Sequence, residues 1–310
     1  MRRMLFHRDY HGYTGGHGKV RDYLDHVQAH PDWCAAVYLS PSSDRAAGNP
    51  FLDAPGLTGP WLPQTADALL LGGMDWIALP EIPASPTPPV VNLVQHVRHA
   101  DPALPLRGFL SRRAVRVCVS TAVADAIAAT GEVNGPIRVI PAAVDGAMLA
   151  ALGARTAGRG VFIDAVKQPS LGRAVADELA RSGVPAHLHV DRLPRADYLA
   201  AMAAAAVVVA LPDPLEGFYL PGLEALALGR ALVQYDCVGS RDYLRDGDNA
   251  LVPAREASAI AGAVSQLHAD AALHARLCAA ARATAARFDL AGERAAVHAL
   301  LDELDDLWRR

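Results

Sequence analysis

The sequence has few cysteines, little net charge and no long apolar run, and each of these absences excludes a class of protein. Its four cysteines are scattered without a C-x-x-C pair, which argues against a disulfide framework and indicates reduced thiols. The net charge of −4 and the isoelectric point near 6.3 give no reason to expect a nucleic-acid partner, because such proteins usually carry a basic surface. No apolar run approaches the ~20 residues of a membrane-spanning helix.

The first residues of the chain lack the apolar core of a signal peptide. Together with the cysteine pattern, this predicts a cytoplasmic protein. A basic cluster in the first half could contact an anionic membrane surface or an acceptor, although a solvated helix face is the simpler explanation; it comprises Arg107, Arg112, Arg113 and Arg116. Peripheral membrane contact therefore stays open, and nothing in the sequence indicates an oligomeric state.

The length of 310 residues and the hydrophobic content of 52% suit two α/β domains. Strand and helix patterns alternate, which predicts parallel sheets with crossover helices. In the first half the candidate strands are 4–7, 35–39, 68–71, 90–95, 115–120 and 138–140. Small and polar residues at 149–160 predict a linker. We therefore predict domains at 1–152 and 153–288, followed by a C-terminal helix at 289–310.

The most informative segment lies between a β-type run at 207–211 and a helix that ends at Gly229. It contains Glu216 and Glu224, and Pro221 suits the first helical position because its missing N–H would be unpaired there. This arrangement places two carboxylates beside a helix N-terminus, whose backbone N–H groups bind phosphate well. Such a site suits a sugar nucleotide. The alternative is that Glu224 only complements the helix dipole.

From residue 207 to residue 253 the sequence resembles the donor-binding segment of retaining GT-B glycosyltransferases, the group 1 or family 4-like enzymes with an E-x7-E motif. The motif is Glu216 to Glu224, and the turns at 236–242 and 246–253 are similar to those that follow it in the family. The resemblance implies an α/β protein of the GT-B fold, with two Rossmann-like domains facing a central cleft. The C-terminal helix would cross back to the first domain.

The resemblance also implies a function: transfer of a hexose-type sugar from a nucleoside diphosphate sugar to an acceptor hydroxyl, with retention at the anomeric carbon. Glu216 would bind hydroxyls of the donor sugar and Glu224 the ribose hydroxyls. Tyr219 replaces a residue that is small in the family, so we expect it to line the sugar pocket. The further donor-binding residues implied in this turn are Gly217, Phe218 and Leu220.

The departing diphosphate needs positive charge. The family supplies an Arg and a Lys after the first strand of the second domain, but here Ala165 stands where the Arg is expected. Lys167 is the best remaining cation and Arg173 a weaker one; a surface lysine is the alternative. With the helix dipole at Pro221, these charges predict a reaction that needs no metal and no other cofactor. The nucleotide sugar is a co-substrate whose base the sequence does not reveal.

Two segments of the first domain are candidates for the same site. The glycines before Lys19 complete neither a dinucleotide fingerprint nor a Walker loop, and they resemble the family's first-domain loop near the donor phosphates and acceptor. We therefore assign Gly16 to the donor, with a flexible loop as the alternative. His96 follows a hydrophobic strand where the family has a His near the transferred sugar, and His99 is a poorer candidate. A solvated histidine is the alternative.

Other functions stay open. The chain could be a GT-B epimerase that acts on the sugar nucleotide itself, or a catalytically silent partner that binds it in a glycosylation assembly. The acceptor could be a glycan, a lipid-linked molecule or a small metabolite. His187 and His189 alternate on one predicted strand face, but no further ligand with recognisable spacing completes a zinc site, so we predict no metal.

Overall fold

The computed structural model describes residues 1–46, 48–54, 56–80 and 87–309. The chain divides into two compact units, which we call unit 1 (1–142 with 291–310) and unit 2 (143–290). Within the described residues, no helix combines the length and the apolar character that crossing a bilayer would require.

Unit 1 is built on a parallel sheet of seven strands in the order β3-β2-β1-β4-β5-β6-β7. Its elements in chain order are β1 (Arg2–Arg8), α1 (Gly15–Gln28), β2 (Trp33–Leu39), β3 (Leu57–Thr58), β4 (Ala68–Gly72), β5 (Val90–Val94), α2 (Pro105–Gly108), β6 (Val115–Cys118), α3 (Thr121–Ala128) and β7 (Ile137–Val139). The central strands β4 and β5 are buried along their whole length, as expected of parallel strands covered on both faces.

Unit 2 contains a parallel sheet of four strands in the order β11-β10-β8-β9. Its elements are α4 (Gly146–Arg155), β8 (Val161–Asp164), α5 (Pro169–Arg181), β9 (Ala186–His189), α6 (Arg195–Ala204), β10 (Val207–Ala210), α7 (Leu220–Ala227), β11 (Ala231–Gln234), α8 (Ala257–Ala269) and α9 (Ala271–Ala285). Strands β8, β10 and β11 are fully buried. Both sheets have the parallel arrangement that the sequence predicts.

The last helices, α10 (Leu290–Asp302) and α11 (Leu304–Arg309), pack on unit 1. Their apolar residues are almost fully buried: Leu300, Leu301, Leu304 and Leu307. The side chain of Glu293 in α10 is 0% exposed, and it accepts hydrogen bonds from Lys19 Nζ at 3.1 Å and His26 Nε2 at 2.9 Å. Charged contacts therefore attach α10 to α1, and apolar burial attaches the segment to unit 1.

Two local predictions need correction. The predicted linker at 149–160 is largely the helix α4, which contacts α6 and α7 within unit 2, and Asp145 caps it by accepting the N–H of Met148 at 2.9 Å. The predicted boundary at residue 152 therefore falls inside a helix. The basic cluster is not a surface patch, because Arg116 is fully buried and donates to Asn92 Oδ1 at 2.6 Å. Arg107 instead pairs with Glu132 at 2.8 Å.

Candidate functional site

The loop between β10 and α7 in unit 2 is held by close backbone contacts. Tyr219 is the N-cap residue of α7, and its N–H donates to the carbonyl of Gly239 at 3.1 Å. A Cβ on Gly239 would lie 2.6 Å from the carbonyl oxygen of Glu216, so only glycine lets the two loops approach this closely. Pro221 occupies the first turn of α7. The loop therefore presents Glu216 and Glu224 on a fixed backbone.

Each of the two predicted carboxylates has a cation as its partner. Lys167 Nζ donates to Glu216 Oε1, and an Arg195 guanidinium nitrogen donates to Glu224 Oε1. The carboxylates are buried, with side chains 11% and 2% exposed, whereas the cations are 47% and 41% exposed. The structure thus brings Lys167 to Glu216. It also adds Arg195, the first residue of α6, which the sequence analysis missed because no motif marks it.

Glu224 has an unused acceptor. Its Oε2 is buried and has no hydrogen-bond partner among the described residues. A buried carboxylate oxygen without a donor costs free energy, commonly about 1–3 kcal/mol and more for a charged group. Such an oxygen is the part of this loop best suited to receive a hydroxyl from a ligand.

Behind the two pairs, Asp164 accepts hydrogen bonds from the hydroxyls of Tyr198 at 3.0 Å and Tyr219 at 3.2 Å. Burial raises the pKa of Asp164, in opposition to these two hydrogen bonds. Tyr219 is only 2% exposed, and Lys167 Nζ lies 5.7 Å from its ring centroid. The Tyr219 ring therefore lies within the distance of a cation–π contact with Lys167, and the Tyr219 hydroxyl bonds to the buried Asp164.

The position expected to hold an arginine has no room for one. Ala165 is fully buried at the end of β8, and a Cβ added to Gly172 in α5 would come within 2.2 Å of the Ala165 Cβ. The small pair lets helix α5 pack directly on the strand end. Arg173 is exposed on the same helix, and no ion pair joins it to another described residue.

The remaining residues that were predicted to bind the donor lie just before α7 or at its first position. Gly217 is buried, and Phe218 and Leu220 are half-buried against the core of unit 2. Phe218 packs on Tyr243 with ring centroids 5.4 Å apart. These side chains hold the loop in place, and only their backbone groups are suited to contact a polar ligand.

A second candidate region is a cavity of about 490 Å³ within unit 1. Gly16 lines it in the first turn of α1, where its carbonyl accepts from Gln95 Nε2 at 3.2 Å. His99 also lines it, whereas His96 does not. The Nδ1 of His96 instead accepts the backbone N–H of Arg98 at 3.0 Å. Of the two histidines, the structure thus places His99, the poorer candidate from the sequence, at the cavity.

The cavity also contains a charged cluster that the sequence analysis did not identify. Asp75 Oδ1 lies 3.0 Å from His7 Nδ1, and Asp75 Oδ2 accepts from Arg8 at 2.7 Å. Arg8 in turn donates to His17 Nδ1 at 3.2 Å. Burial, with the Arg8 charge next in size, lowers the pKa of His17 to about 4. His7 and Arg8 end β1 and Asp75 follows β4, so the carboxyl ends of neighbouring parallel strands bring them together.

His187 and His189 lie together on β9, with ring centroids 4.5 Å apart. Within the described ranges, no group of three or more His, Cys, Asp or Glu side chains is arranged to hold a metal ion. All four cysteines are free thiols, and three of them are buried.

Residues 167–270 match the sequence model of the family described as Glycosyl transferases group 1. This range contains Lys167, Arg195, Glu216 and Glu224, the residues that form the two ion pairs. No curated protein is similar enough in sequence to count as a match.

Several solved structures share the fold. HepE of Anabaena, in complex with UDP and glucose, is 16% identical, and the alignment covers 98% of this chain and 100% of that one with a TM-score of 0.75. Sucrose-phosphate synthase from Thermosynechococcus elongatus is 12% identical over 99% and 100%, with a TM-score of 0.72. MnaA of S. aureus, solved with UDP, is 9% identical over 99% and 98%, with a TM-score of 0.64.

At these identities the structural likeness bears on the fold alone. It confirms the predicted fold class: an α/β chain with parallel sheets whose structural neighbours are GT-B glycosyltransferases. Residues 167–270 of unit 2 are, in addition, similar in sequence to group 1 glycosyl transferases.

Proposed function

We propose that the protein is a glycosyltransferase that moves a hexose-type sugar from a nucleoside diphosphate sugar to an acceptor hydroxyl, with retention at the anomeric carbon. The observation that carries this proposal is the pair of buried carboxylates at the start of α7, each bonded to a half-exposed cation inside the segment that matches the group 1 family. Retention rests on the sequence resemblance.

We assign the roles as follows. Glu216 binds hydroxyls of the donor sugar, supported by the backbone of Gly217, Phe218 and Tyr219. Glu224 receives the ribose hydroxyls; its Oε2, which has no partner among the residues that the structure describes, supports this role because a hydroxyl would supply the missing donor. Leu220 begins α7, whose N-terminal N–H groups favour an anion such as the diphosphate.

Lys167 is the cation that stabilises the departing diphosphate. The chain contains only two lysines, and the other, Lys19, is buried against Glu293 in unit 1. Lysine is therefore not a common surface residue in this chain, and this rarity is evidence against the alternative that Lys167 is only a surface lysine. Arg195 supplies a second cation in place of the arginine that the family has and this chain lacks at Ala165, and Arg173 is a weaker contributor. With these charges the reaction would need no metal.

In unit 1 we assign Gly16 to the donor phosphates and the approach of the acceptor on the resemblance of its loop to the family's first-domain loop; a side chain there would also meet Gln95 Oε1 at 2.7 Å. We keep His96 as a polar group near the transferred sugar. The acceptor is a glycan, a lipid-linked molecule or a small metabolite. The unpaired cysteines suit the reducing cytoplasm, where we place the protein.

The experiment is a thermal-shift panel with UDP, GDP, dTDP, ADP and CMP, with and without EDTA. A ligand at a hundred times its dissociation constant should add about 2.7 kcal/mol of stability. UDP is the first candidate, since HepE was solved with UDP and with UDP-glucose. Stabilisation by one diphosphate, unchanged by EDTA, supports the donor site and metal independence. No shift with any nucleotide contradicts the proposal.

Retention and turnover need a second readout. With a sugar donor built on the nucleotide that the panel identifies, proton NMR of the product should show the anomeric configuration of that donor. An inverted product would refute retention but leave the transferase function intact. Nucleotide binding without turnover on any acceptor would favour the silent-partner alternative, which the alanine at position 165 keeps open.

A further inference from the structure

Asp164 is a buried carboxylate to which the proposed reaction assigns no role. It is the last residue of β8 and is 6% exposed, and burial raises its pKa. The described groups that act on it most strongly include no cation: the hydroxyls of Tyr198 and Tyr219, the backbone of Val166 and the carboxylate of Glu224. A carboxylate that is buried without a cation costs free energy. A group that breaks this rule is expected at a functional site.

Two tyrosines connect Asp164 with the surroundings of both donor-site cations. The hydroxyls of Tyr198 and Tyr219 donate to the same oxygen, Asp164 Oδ2. Lys167 Nζ lies 5.7 Å from the ring centroid of Tyr219, within the range of a cation–π contact. Tyr198 follows Arg195 by three residues on α6, so the two side chains share one face of the helix. One carboxylate oxygen therefore bonds to the aromatic neighbour of each cation.

Both tyrosines are also held at the end that is remote from Asp164. The backbone N–H of Tyr219 donates to Gly239 at 3.1 Å, and its carbonyl accepts from the hydroxyl of Tyr243 at 2.7 Å. The ring of Tyr198 packs edge-on against Phe162, with ring centroids 5.8 Å apart. The hydrogen bonds to Asp164 fix the other end of each ring. Removing the carboxylate should therefore free the rings to turn while the backbone stays in place.

We propose that Asp164 is a positioning residue of the donor site, which holds Lys167 and Arg195 in place for the diphosphate through the two tyrosines. It would thereby compensate for the arginine that is absent at the next residue, Ala165. Each cation forms its ion pair with Glu216 or Glu224, so Asp164 acts on the cations through the tyrosine rings. This inference rests on the proposed function, because the diphosphate is the group that the two cations serve.

The first test uses the scarcity of lysine, since the chain contains only Lys19 and Lys167. With carbon-13 at the lysine Cε, NMR of the full chain gives two side-chain signals, and Lys167→Ala assigns them. The ring current of Tyr219 should displace the Lys167 signal from the position of a free lysine side chain. Asp164→Ala should move this signal toward the free position. The signal of Lys19, which is buried in unit 1, should stay where it is.

Three further variants separate the acceptor role from a general effect on the fold. Asp164→Asn keeps an oxygen that can accept both hydroxyls, so its Lys167 signal should lie between those of the wild type and Asp164→Ala. Tyr219→Phe keeps the ring and removes one of the two bonds; it should move the signal in the same direction, and it decides the matter if Asp164→Ala does not fold. Asp270→Asn, at the N-cap of α9 in the same unit, is the control and should move neither signal.

Turnover should follow the lysine signal. UDP-glucose is the first donor to assay, and release of UDP measures transfer to any acceptor, water included. Asp164→Ala should lower kcat by about 10- to 100-fold, the loss expected when catalytic groups are displaced, with a smaller change in the KM of the donor. In the Lys167→Ala background the same substitution should cost a smaller factor than in the wild type, because both changes act on one group.

Three outcomes would overturn the inference: a folded Asp164→Ala variant with an unmoved Lys167 signal, the same variant with wild-type kcat, or an equal loss of kcat in the wild-type and Lys167→Ala backgrounds. If the wild type binds the nucleotide and the lysine signal does not respond, this inference fails while the donor site stands. If the lysine signal responds and no nucleoside diphosphate binds the wild type, the proposed function fails, and the role of Asp164 in it fails too.

Discussion

Replacing Glu224 by glutamine should change the affinity for the nucleotide strongly and the free energy of unfolding little. The side chain is 2% exposed, and its charge is balanced by one half-exposed arginine, while Oε2 has no partner in the part of the chain that the structure describes. Glutamine keeps the shape and removes the charge. The variant loses an ion pair with Arg195 but no longer has to bury a carboxylate, so these two effects oppose each other. We expect the free energy of unfolding to change by less than about 1 kcal/mol.

Nucleotide binding should respond far more strongly. A hydrogen bond to a charged group contributes about 1.5–3 kcal/mol, which corresponds to about a 10- to 150-fold change in Kd. The ribose hydroxyls would lose this contribution because a neutral amide replaces the carboxylate. Isothermal titration with the nucleoside diphosphate that binds the wild type gives the Kd, and urea unfolding gives the stability.

The matched control is Glu178→Gln, which removes another carboxylate of unit 2 that pairs with an arginine, Arg181 at 2.7 Å. It should leave the nucleotide affinity at the wild-type value. A Glu224→Gln variant that binds the nucleotide as tightly as the wild type would refute the ribose role. A variant that loses several kcal/mol of stability would instead indicate that Glu224 serves the fold.

Three further changes test other parts of the account. Lys167→Ala should lower kcat by about 10²- to 10³-fold with a smaller change in the KM of the donor, as expected for a group that stabilises developing charge; a raised KM with an unchanged kcat would indicate a group that only binds the donor. Glu293→Gln should destabilise the protein in urea by about 1.5–3 kcal/mol because it removes the buried charge that bonds to Lys19 and His26 and leaves Asp22 as an ion-pair partner of Lys19, whereas Asp305→Asn, in an exposed pair with Arg2, should cost at most about 1 kcal/mol. Gly172→Ala should cost about 1–3 kcal/mol through overpacking, and Gly262→Ala, with open space around it in α8, should gain about 0.5–1 kcal/mol; similar melting temperatures for the two glycine variants would contradict the packing of α5 on β8.

Much of the fold is readable from the sequence because its strands are buried on both faces. Parallel strands of this kind are short continuous apolar runs, such as Val207–Ala210, and the intervening helices have one apolar face. The leucines of the last two helices likewise indicate a buried stripe. Local pattern and burial agree in these elements, so each candidate strand of the first half lies within a few residues of an observed strand, whereas the short β3 was not predicted.

Helix α4 was missed because its small residues suggest a loop. They serve close packing instead: a Cβ on Gly153 would lie 2.1 Å from the carbonyl oxygen of Leu228. A glycine needed for helix–helix contact and a glycine in a linker are identical in sequence. Only the three-dimensional neighbour distinguishes them.

In the candidate sites, too, the sequence predicts some contacts and not others. Glu216 and Glu224 share one turn, so their proximity follows from local structure. Arg195 is 29 residues from Glu224, and Asp75 is 68 residues from His7. Contacts between residues this far apart in sequence depend on how the strands and helices pack, so no local pattern predicts them. Tyr219 lies in the predicted turn, but its hydroxyl bonds to the buried Asp164, a partner that the sequence pattern does not reveal.

The most direct test of the donor site is a crystal structure with the nucleoside diphosphate bound. The account predicts that both ribose hydroxyls lie within hydrogen-bond distance of Glu224. It also predicts that the diphosphate contacts Lys167 and the first backbone N–H groups of α7. A nucleotide bound elsewhere, with the Lys167–Glu216 and Arg195–Glu224 pairs undisturbed and out of contact, would contradict it.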